Sequence, residues 1–193
     1  MGSREKKTYG YRERNEAKRA AFLLQLARYA PEQIVYVDEA GVDDTHDYPY
    51  GYCHRSERFY ALKLGHRTER ISMVSGWCNC KVVAWCNCKV VAPMTFKGYC
   101  NTLLIEAWIE AMLIPALKPG QVVVMDNAGF HKSNRIRELI EAAGCELLFL
   151  PPYSPDYNKI EKFWANLKHY LGKTIQQFDN LWDAVDDAFR KLS

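Results

Sequence analysis

The sequence has no hydrophobic run long enough to cross a membrane. None of its 193 residues belongs to an uncharged apolar stretch that approaches the roughly 18 residues of a membrane-spanning helix. The amino end is charged where a secretion signal would be apolar. The seven cysteines are odd in number and come without such a signal, which favours reduced thiols over a disulfide framework. These absences predict a soluble cytoplasmic protein with no membrane partner.

A strong excess of one charge is also lacking, since the formal net charge is only +3. That total hides an asymmetry, because residues 1–28 carry +5 and the remaining chain carries −2. A basic arm on a mildly acidic body is typical of a protein that contacts phosphate backbones with one part and binds metal cations with another. The alternative is a solvated arm without a partner. We predict a basic arm and linker helix over residues 1–30 and a compact domain over residues 31–193.

Hydrophobic periodicity predicts an α/β domain with a mixed five-stranded sheet flanked by helices. The segment Gly41–Arg58 shows no periodicity and is predicted to be a long loop. The predicted elements, in chain order, are a helix over 15–29, strands over 34–37, 70–74 and 90–94, a helix from Asn101, a strand over 122–125, a helix capped by Ser133, a strand over 145–150 and helices over 158–171 and 178–192. This succession is the order of the ribonuclease-H-like fold.

An eight-residue segment occurs twice in succession. Residues 77–84 and 85–92 have the same sequence, Trp-Cys-Asn-Cys-Lys-Val-Val-Ala. Because eight is an even number, the second copy leaves unchanged which strand side chains face the core. We therefore predict that the duplication extends the hairpin between the second and third strands and keeps the register of the sheet. Its Cys-X-Cys pairs are shorter than the usual spacing of structural zinc ligands, so zinc is not predicted.

Three acidic residues lie at the ends of predicted core elements. Asp38 ends the first strand, Asp126 ends the fourth, and Glu161 lies early in the helix after the fifth. The carboxyl ends of neighbouring parallel strands lie side by side, so the three side chains can converge there. Two carboxylates about 4 Å apart repel by roughly 4 kcal/mol at an effective dielectric near 20, so a converged trio requires cations. Oxygen ligands favour Mg²⁺ or Mn²⁺. Each Asp taken singly has a second interpretation as a turn former or cap.

Three motifs surround these acids in the same order along the chain. They are Asp38-Glu39-Ala40-Gly41, the run from Val124 to Ser133, and Leu150-Pro151-Pro152-Tyr153-Ser154-Pro155-Asp156 followed by Asn158, Ile160-Glu161 and Phe163-Trp164. Together they resemble the signatures of mariner-like insertion-sequence transposases of the DDE endonuclease superfamily. The 34 residues between Asp126 and Glu161 match a spacing typical of one large branch of that family. The sequence departs from the family at Ala40, usually Ser or Thr, and at Tyr157 and Lys159, often Leu and Pro.

The resemblance implies a ribonuclease-H-like DDE catalytic domain over residues 31–193. It implies two Mg²⁺ or Mn²⁺ ions held by Asp38, Asp126 and Glu161, with Asp38 bridging both. The implied activity is DNA strand cleavage and strand transfer in cut-and-paste transposition. Homodimers on DNA and a prokaryotic host, with the protein at the nucleoid when bound, are implied as well. The family also has an amino-terminal helix-turn-helix region that this chain has no room for. The resemblance is therefore to the second half of a transposase. Either a separate subunit or a frameshift-joined half carries the helix-turn-helix, or the chain is a catalytic fragment.

Several polar residues that follow Asp126 are predicted to contact DNA because they lie at a helix start. They are Asn127, His131, Lys132, Arg135 and Arg137. For His131 a hydrogen bond within the helix start is an equal alternative. Two other functions stay open: another nuclease of the same fold, such as a ribonuclease H or Holliday-junction resolvase, and a non-catalytic DNA-binding or dimerisation remnant of a decayed transposase. The duplication favours the remnant, and the intact acid trio argues against it.

Overall fold

The computed structural model describes residues 13–45, 69–78 and 89–193. Eleven helices and strands make up most of these residues, and no helix among them has the length and apolar character of a membrane span. They are α1 Glu16–Leu26, β1 Ile34–Asp43, β2 Arg70–Cys78, β3 Lys89–Phe96, α2 Thr102–Trp108, α3 Ile114–Ala116, β4 Val122–Met125, α4 Asn134–Ala142, β5 Glu146–Phe149, α5 Ile160–Thr174 and α6 Leu181–Leu192. A π-helical segment, Ile109–Leu113, joins α2 to α3.

The strands form one five-stranded sheet in the order β3-β2-β1-β4-β5. β1, β2 and β3 make an antiparallel meander, whereas β4 pairs parallel to β1 and β5 pairs parallel to β4. The predicted mixed sheet flanked by helices is therefore confirmed, with the first strand at its centre.

Two hydrophobic layers cover the faces of the sheet, because alternate side chains of a strand point to opposite faces. The first layer packs against α1, α5 and α6, and the second packs against α2, the π-helical segment and α4. From β1 and β4, the first layer receives Ile34, Tyr36, Val122 and Val124, and the second receives Val35, Val37, Val123 and Met125. Both faces of β4 are thus buried, as its wholly apolar sequence predicts.

Side-chain caps define where the helices begin. Asn101 Oδ1 accepts the Leu104 N–H at 2.9 Å, and Ser133 Oγ accepts the Ile136 N–H at 3.1 Å, which confirms both predicted caps. The last helix begins at Leu181 rather than at Phe178, because Asn180 accepts the N–H of Asp183 and caps it. α5 begins at Ile160, after a 3-10 turn over Pro155–Tyr157, rather than at residue 158.

The first strand is longer than the sequence predicts. β1 continues through Glu39, Ala40 and Gly41 to Asp43, so the predicted loop over Gly41–Arg58 is wrong at its beginning. Pairing with β2 along this whole length, as far as Asp43 opposite Arg70, provides hydrogen-bond partners along one edge of the polar segment. On β1, only residues 34–36 pair with β4, so Asp38 lies beyond that pairing. Asp38 is therefore within β1 rather than at its end. Residues 46–68 lie outside the described part of the chain.

The duplicated segment lies mostly outside the described residues. Cys78 at the end of β2 pairs with Lys89 at the start of β3, so these strands form the predicted antiparallel pair. The proposed extension of their hairpin falls on residues 79–88 and stays a prediction. At the end of the second copy the register shifts between Val74 and Gly76, and Ala92, the last residue of that copy, adopts a φ of 49°. A β-bulge there accommodates Pro93, which has no N–H to donate.

Candidate active site

The register of β1 and β4 brings two of the predicted acids together. Tyr36 pairs with Val124, and Asp38 and Asp126 each follow two residues later, on the face covered by α5. Glu161 lies in the first turn of α5. All three acids line one cleft of about 240 Å³. The rest of its wall comes from Asn127, Ala128, the segment 150–155 and Asn158.

Asp38 is the most perturbed acid of the cleft. It is only 9% exposed. Burial, together with the negative charges of Glu161 and Glu39, raises the pKa of Asp38 to about 8. A nearby cation would reverse this shift, because it stabilises the charged form. The electrostatics of Asp38 therefore favour a positively charged ligand in the cleft.

Asp126 lies in the same cleft with a pKa shifted in the opposite direction. Burial raises its pKa, but the hydrogen bonds from His131 and from the backbone N–H of Ala128 outweigh burial and lower it. Both bonds fall on Oδ1, at 2.6 Å from the His131 ring and 2.8 Å from Ala128. Asp126 is therefore ionised at neutral pH.

His131 is completely buried beside Asp126. Its Nδ1 lies 2.6 Å from Asp126 Oδ1, and its Nε2 lies 2.8 Å from Glu39 Oε1. Burial lowers the pKa of His131, but the hydrogen bonds to Asp126 and Glu39 outweigh burial and raise it to about 9. Both ring N–H groups then donate at neutral pH. His131 has no exposed surface, and both of its ring nitrogens face carboxylates of the protein. Its predicted contact with DNA stays a prediction.

The oxygen atoms of the cleft suit a hard divalent cation. Asn158 is 5% exposed, and its Oδ1 has no hydrogen-bond partner among the described residues. A buried carbonyl oxygen of this kind can accept a hydrogen bond from an ordered water or bind a metal ion. No three His, Cys, Asp or Glu side chains of the described residues already form a closed ligand cluster. Mg²⁺ does not require one, because it keeps several waters and binds through one or two carboxylates.

A comparison with protein-family models assigns the chain to a family. The family model described as DDE superfamily endonuclease matches residues 33–182, which include all three acids. The chain belongs to this family. A search of the curated proteins found no match.

Solved structures share the fold of this chain at low sequence identity. The Mos1 strand transfer complex matches 100% of the chain with a TM-score of 0.69 and 19% identity. The Mos1 transposase paired-end complex with left transposon end matches 100% of it with a TM-score of 0.65 and 17% identity. The chain covers 62% and 64% of those two chains, which is less than two thirds of each. The predicted ribonuclease-H-like fold is confirmed.

The basic residues predicted to contact DNA lie on the surface of the protein. Lys132, Arg135 and Arg137 are exposed at the start of α4. Arg135 pairs with Glu110 at 3.1 Å, and Arg137 pairs with Glu141 at 3.3 Å. Such exposed pairs are weak and compete little with phosphate. Their contact with DNA stays a prediction.

Asn127 has a contact inside the protein. Its side-chain amide donates to the backbone carbonyl of Leu150, where the chain leaves β5. This bond joins the loops that follow β4 and β5, both of which line the cleft. Asn127 therefore contributes to the shape of the cleft, and its predicted DNA contact is untested.

Sequence reasoning missed three features of the candidate site. The first is the contact of Glu39 with His131, and the second is the buried oxygen of Asn158. The third is the attachment of α1 to the segment before α5 through Arg19. The quoted motifs include Glu39 and Asn158 but not Arg19, and they do not indicate which distant side chain a residue contacts.

Arg19 of α1 is buried against the last motif. Its guanidinium donates to both carboxylate oxygens of Asp156, at 3.1 and 2.8 Å, and to Ser154 Oγ at 2.8 Å. It also lies 3.9 Å from the centre of the Tyr157 ring, on which Phe22 stacks. Asp156 and Ser154 therefore attach α1 to the segment that forms one wall of the cleft. The division between a linker helix and the domain at residue 30 stays a prediction.

Arg19→Lys is expected to destabilise the fold by about 2 kcal/mol, because lysine keeps the charge but cannot make the forked contacts. The matched control is Arg28→Lys, which changes an exposed residue just after α1. Urea denaturation of both variants and the unchanged protein measures the difference. Equal stability of the two variants would show that the forked contacts of Arg19 do not matter.

Proposed function

We propose that this chain is the catalytic domain of a cut-and-paste DNA transposase, which cleaves and joins DNA strands by metal-dependent phosphoryl transfer. The observation that carries the proposal is the position of Asp38, Asp126 and Glu161 around one cleft in a DDE endonuclease. The Mos1 structures of the same fold are complexes described with a transposon end and with strand transfer, which supports DNA as the substrate.

Asp38, Asp126 and Glu161 would together hold two Mg²⁺ or Mn²⁺ ions in the cleft. Two such ions activate the attacking water or 3′-hydroxyl and stabilise the leaving oxygen. The raised pKa of Asp38 supports this assignment, because burial and, after it, the charges of Glu161 and Glu39 make its negative charge unfavourable without a cation. One Mos1 structure of this fold is described with Mn and another with Mg, which supports these metals.

The partners of the whole protein are part of the same proposal. Lys132, Arg135 and Arg137 would contact DNA phosphates beside the cleft, and the active form would be a homodimer on transposon ends and target DNA. A separate helix-turn-helix subunit would recognise the ends. The setting would be prokaryotic cytoplasm, with the protein at the nucleoid when it binds DNA.

Nicking of supercoiled plasmid DNA tests the function without knowledge of the transposon ends. We expect nicking that requires Mn²⁺ or Mg²⁺ and falls at least about 100-fold in Glu161→Gln, because a metal ligand is lost. The matched control Glu141→Gln changes an exposed glutamate on α4 and should nick normally. An RNA strand in an RNA–DNA hybrid should not be preferred, and such a preference would instead indicate a ribonuclease H.

A second candidate is a non-catalytic DNA-binding or dimerisation remnant of a decayed transposase. The observation that favours it is the exact duplication over residues 77–92. This candidate predicts a folded protein that binds DNA but shows no metal-dependent nicking. The same plasmid experiment therefore separates the two candidates.

A further inference from the structure

The contacts of His131 join two parts of the fold that carry the proposed metal ligands. His131 lies in the 3-10 turn Gly129–His131 that follows β4, whereas Glu39 lies on β1 next to Asp38. The His131 imidazole therefore links β1, which carries Asp38 and Glu39, to Asp126, which directly follows β4. Its burial and its short contacts, 2.6 and 2.8 Å, keep this link in one geometry.

The two carboxylate oxygens of Asp126 differ in their hydrogen bonds. Oδ1 accepts from the Ala128 N–H and from His131 Nδ1, whereas the described residues place no further hydrogen bond on Oδ2. Asp126 is nevertheless on the wall of the cleft, and its side chain is 45% exposed. Oδ2 is therefore the oxygen that remains for a ligand in the cleft.

We propose that Glu39 and His131 are positioning residues that hold Asp126 Oδ1, so that Oδ2 is presented to a divalent cation. The proposal rests on the proposed function, because it requires a cation at Asp126. Partners that orient a metal ligand in this way typically contribute 10- to 100-fold to metal affinity. Glu39 acts through His131, and neither residue needs to touch the DNA.

A pair of substitutions at His131 separates the two ring nitrogens. His131→Asn retains an N–H near the Nδ1 position, where it can donate to Asp126, and loses the link to Glu39. His131→Gln retains an N–H near the Nε2 position, where it can donate to Glu39, and leaves Asp126 Oδ1 without that donor. Both variants open a buried site of the same kind, so a purely structural role would affect them alike.

Mn²⁺ binding to the DNA-free chain is the readout, measured by the electron paramagnetic resonance signal of unbound Mn²⁺. We expect His131→Gln to bind Mn²⁺ about 10- to 100-fold more weakly than the unchanged protein and His131→Asn to lose clearly less. Glu39→Gln keeps its size and an acceptor oxygen, and we expect it to weaken Mn²⁺ binding by a few-fold. Melting temperatures of all variants report stability separately from affinity.

The outcomes distinguish the inference from the proposed function. If Asp126→Asn lowers Mn²⁺ affinity while His131→Gln and Glu39→Gln bind like the unchanged protein, the inference is wrong and the function stands. Equal losses of affinity in His131→Asn and His131→Gln, in proportion to their melting temperatures, would also overturn the inference. If the unchanged protein binds no Mn²⁺, both the proposed function and the inference fail.

Discussion

Replacing Asp126 with asparagine is expected to leave the protein folded and to reduce metal-dependent plasmid nicking by about two orders of magnitude or more. Asparagine has the same size, and its oxygen can still accept from Ala128 and His131, as Asp126 Oδ1 does. The negative charge offered to a cation is lost. The loss should therefore appear in the chemical step rather than in DNA binding.

The control for this prediction is Asp186→Asn, which makes the same chemical change at an exposed residue of α6. Circular dichroism and melting curves show whether each variant is folded, and nicking is measured at saturating Mn²⁺. Nicking by Asp126→Asn above a few per cent of the unchanged protein would exclude Asp126 as a metal ligand.

Replacing Asp38 with asparagine is expected to stabilise the metal-free protein while it abolishes nicking. Asp38 is buried, and burial with nearby negative charges raises its pKa to about 8 in the folded chain. Its carboxylate therefore costs free energy in the folded state, whereas a neutral amide of the same shape does not. An acid of this kind lowers the stability of the metal-free fold and enables the folded protein to bind a cation.

The pH dependence of this effect has a definite sign. The pKa of Asp38 is raised from 3.8 to about 8 on folding. The loss of folding stability that Asp38 causes is therefore absent below about pH 4, grows as the pH rises, and is complete above about pH 8. We expect Asp38→Asn to be more stable than the unchanged protein by about 2 to 5 kcal/mol at pH 8, and nearly equal to it at pH 4.

Urea denaturation in the presence of a chelator, at both pH values, measures this difference. Excess Mn²⁺ should then stabilise the unchanged protein and not Asp38→Asn, because only a protein that binds the ion in its folded state gains stability from it. If Asp38→Asn is less stable than the unchanged protein at pH 8, or if the difference in stability does not change with pH, the buried carboxylate of Asp38 does not destabilise the fold.

Local signals in the sequence predicted much of the fold. The apolar run Val122–Met125 indicated a strand buried on both faces, and Asp126 follows it directly. Asn101 and Ser133 act as the predicted caps, because capping depends on a residue and its neighbours three positions away. The convergence of Asp38 and Asp126 followed from parallel pairing, which is a general property of such sheets.

The features that the sequence did not reveal depend on partners far along the chain. Glu39 and His131 are 92 positions apart, and Arg19 and Asp156 are 137 apart. The polar end of β1 has no hydrophobic alternation, and pairing with β2 is what makes it a strand. Periodicity reports which face of an element is buried, but it does not report which distant polar group meets another.

Anomalous diffraction from crystals soaked in Mn²⁺ shows whether Asp38, Asp126 and Glu161 form a divalent metal site. We expect an anomalous peak between Asp38 and Asp126, with Glu161 within reach and Asp126 bound through Oδ2. A well-ordered structure in which the three carboxylates lie far apart and Mn²⁺ occupies no position in this cleft would contradict the metal site.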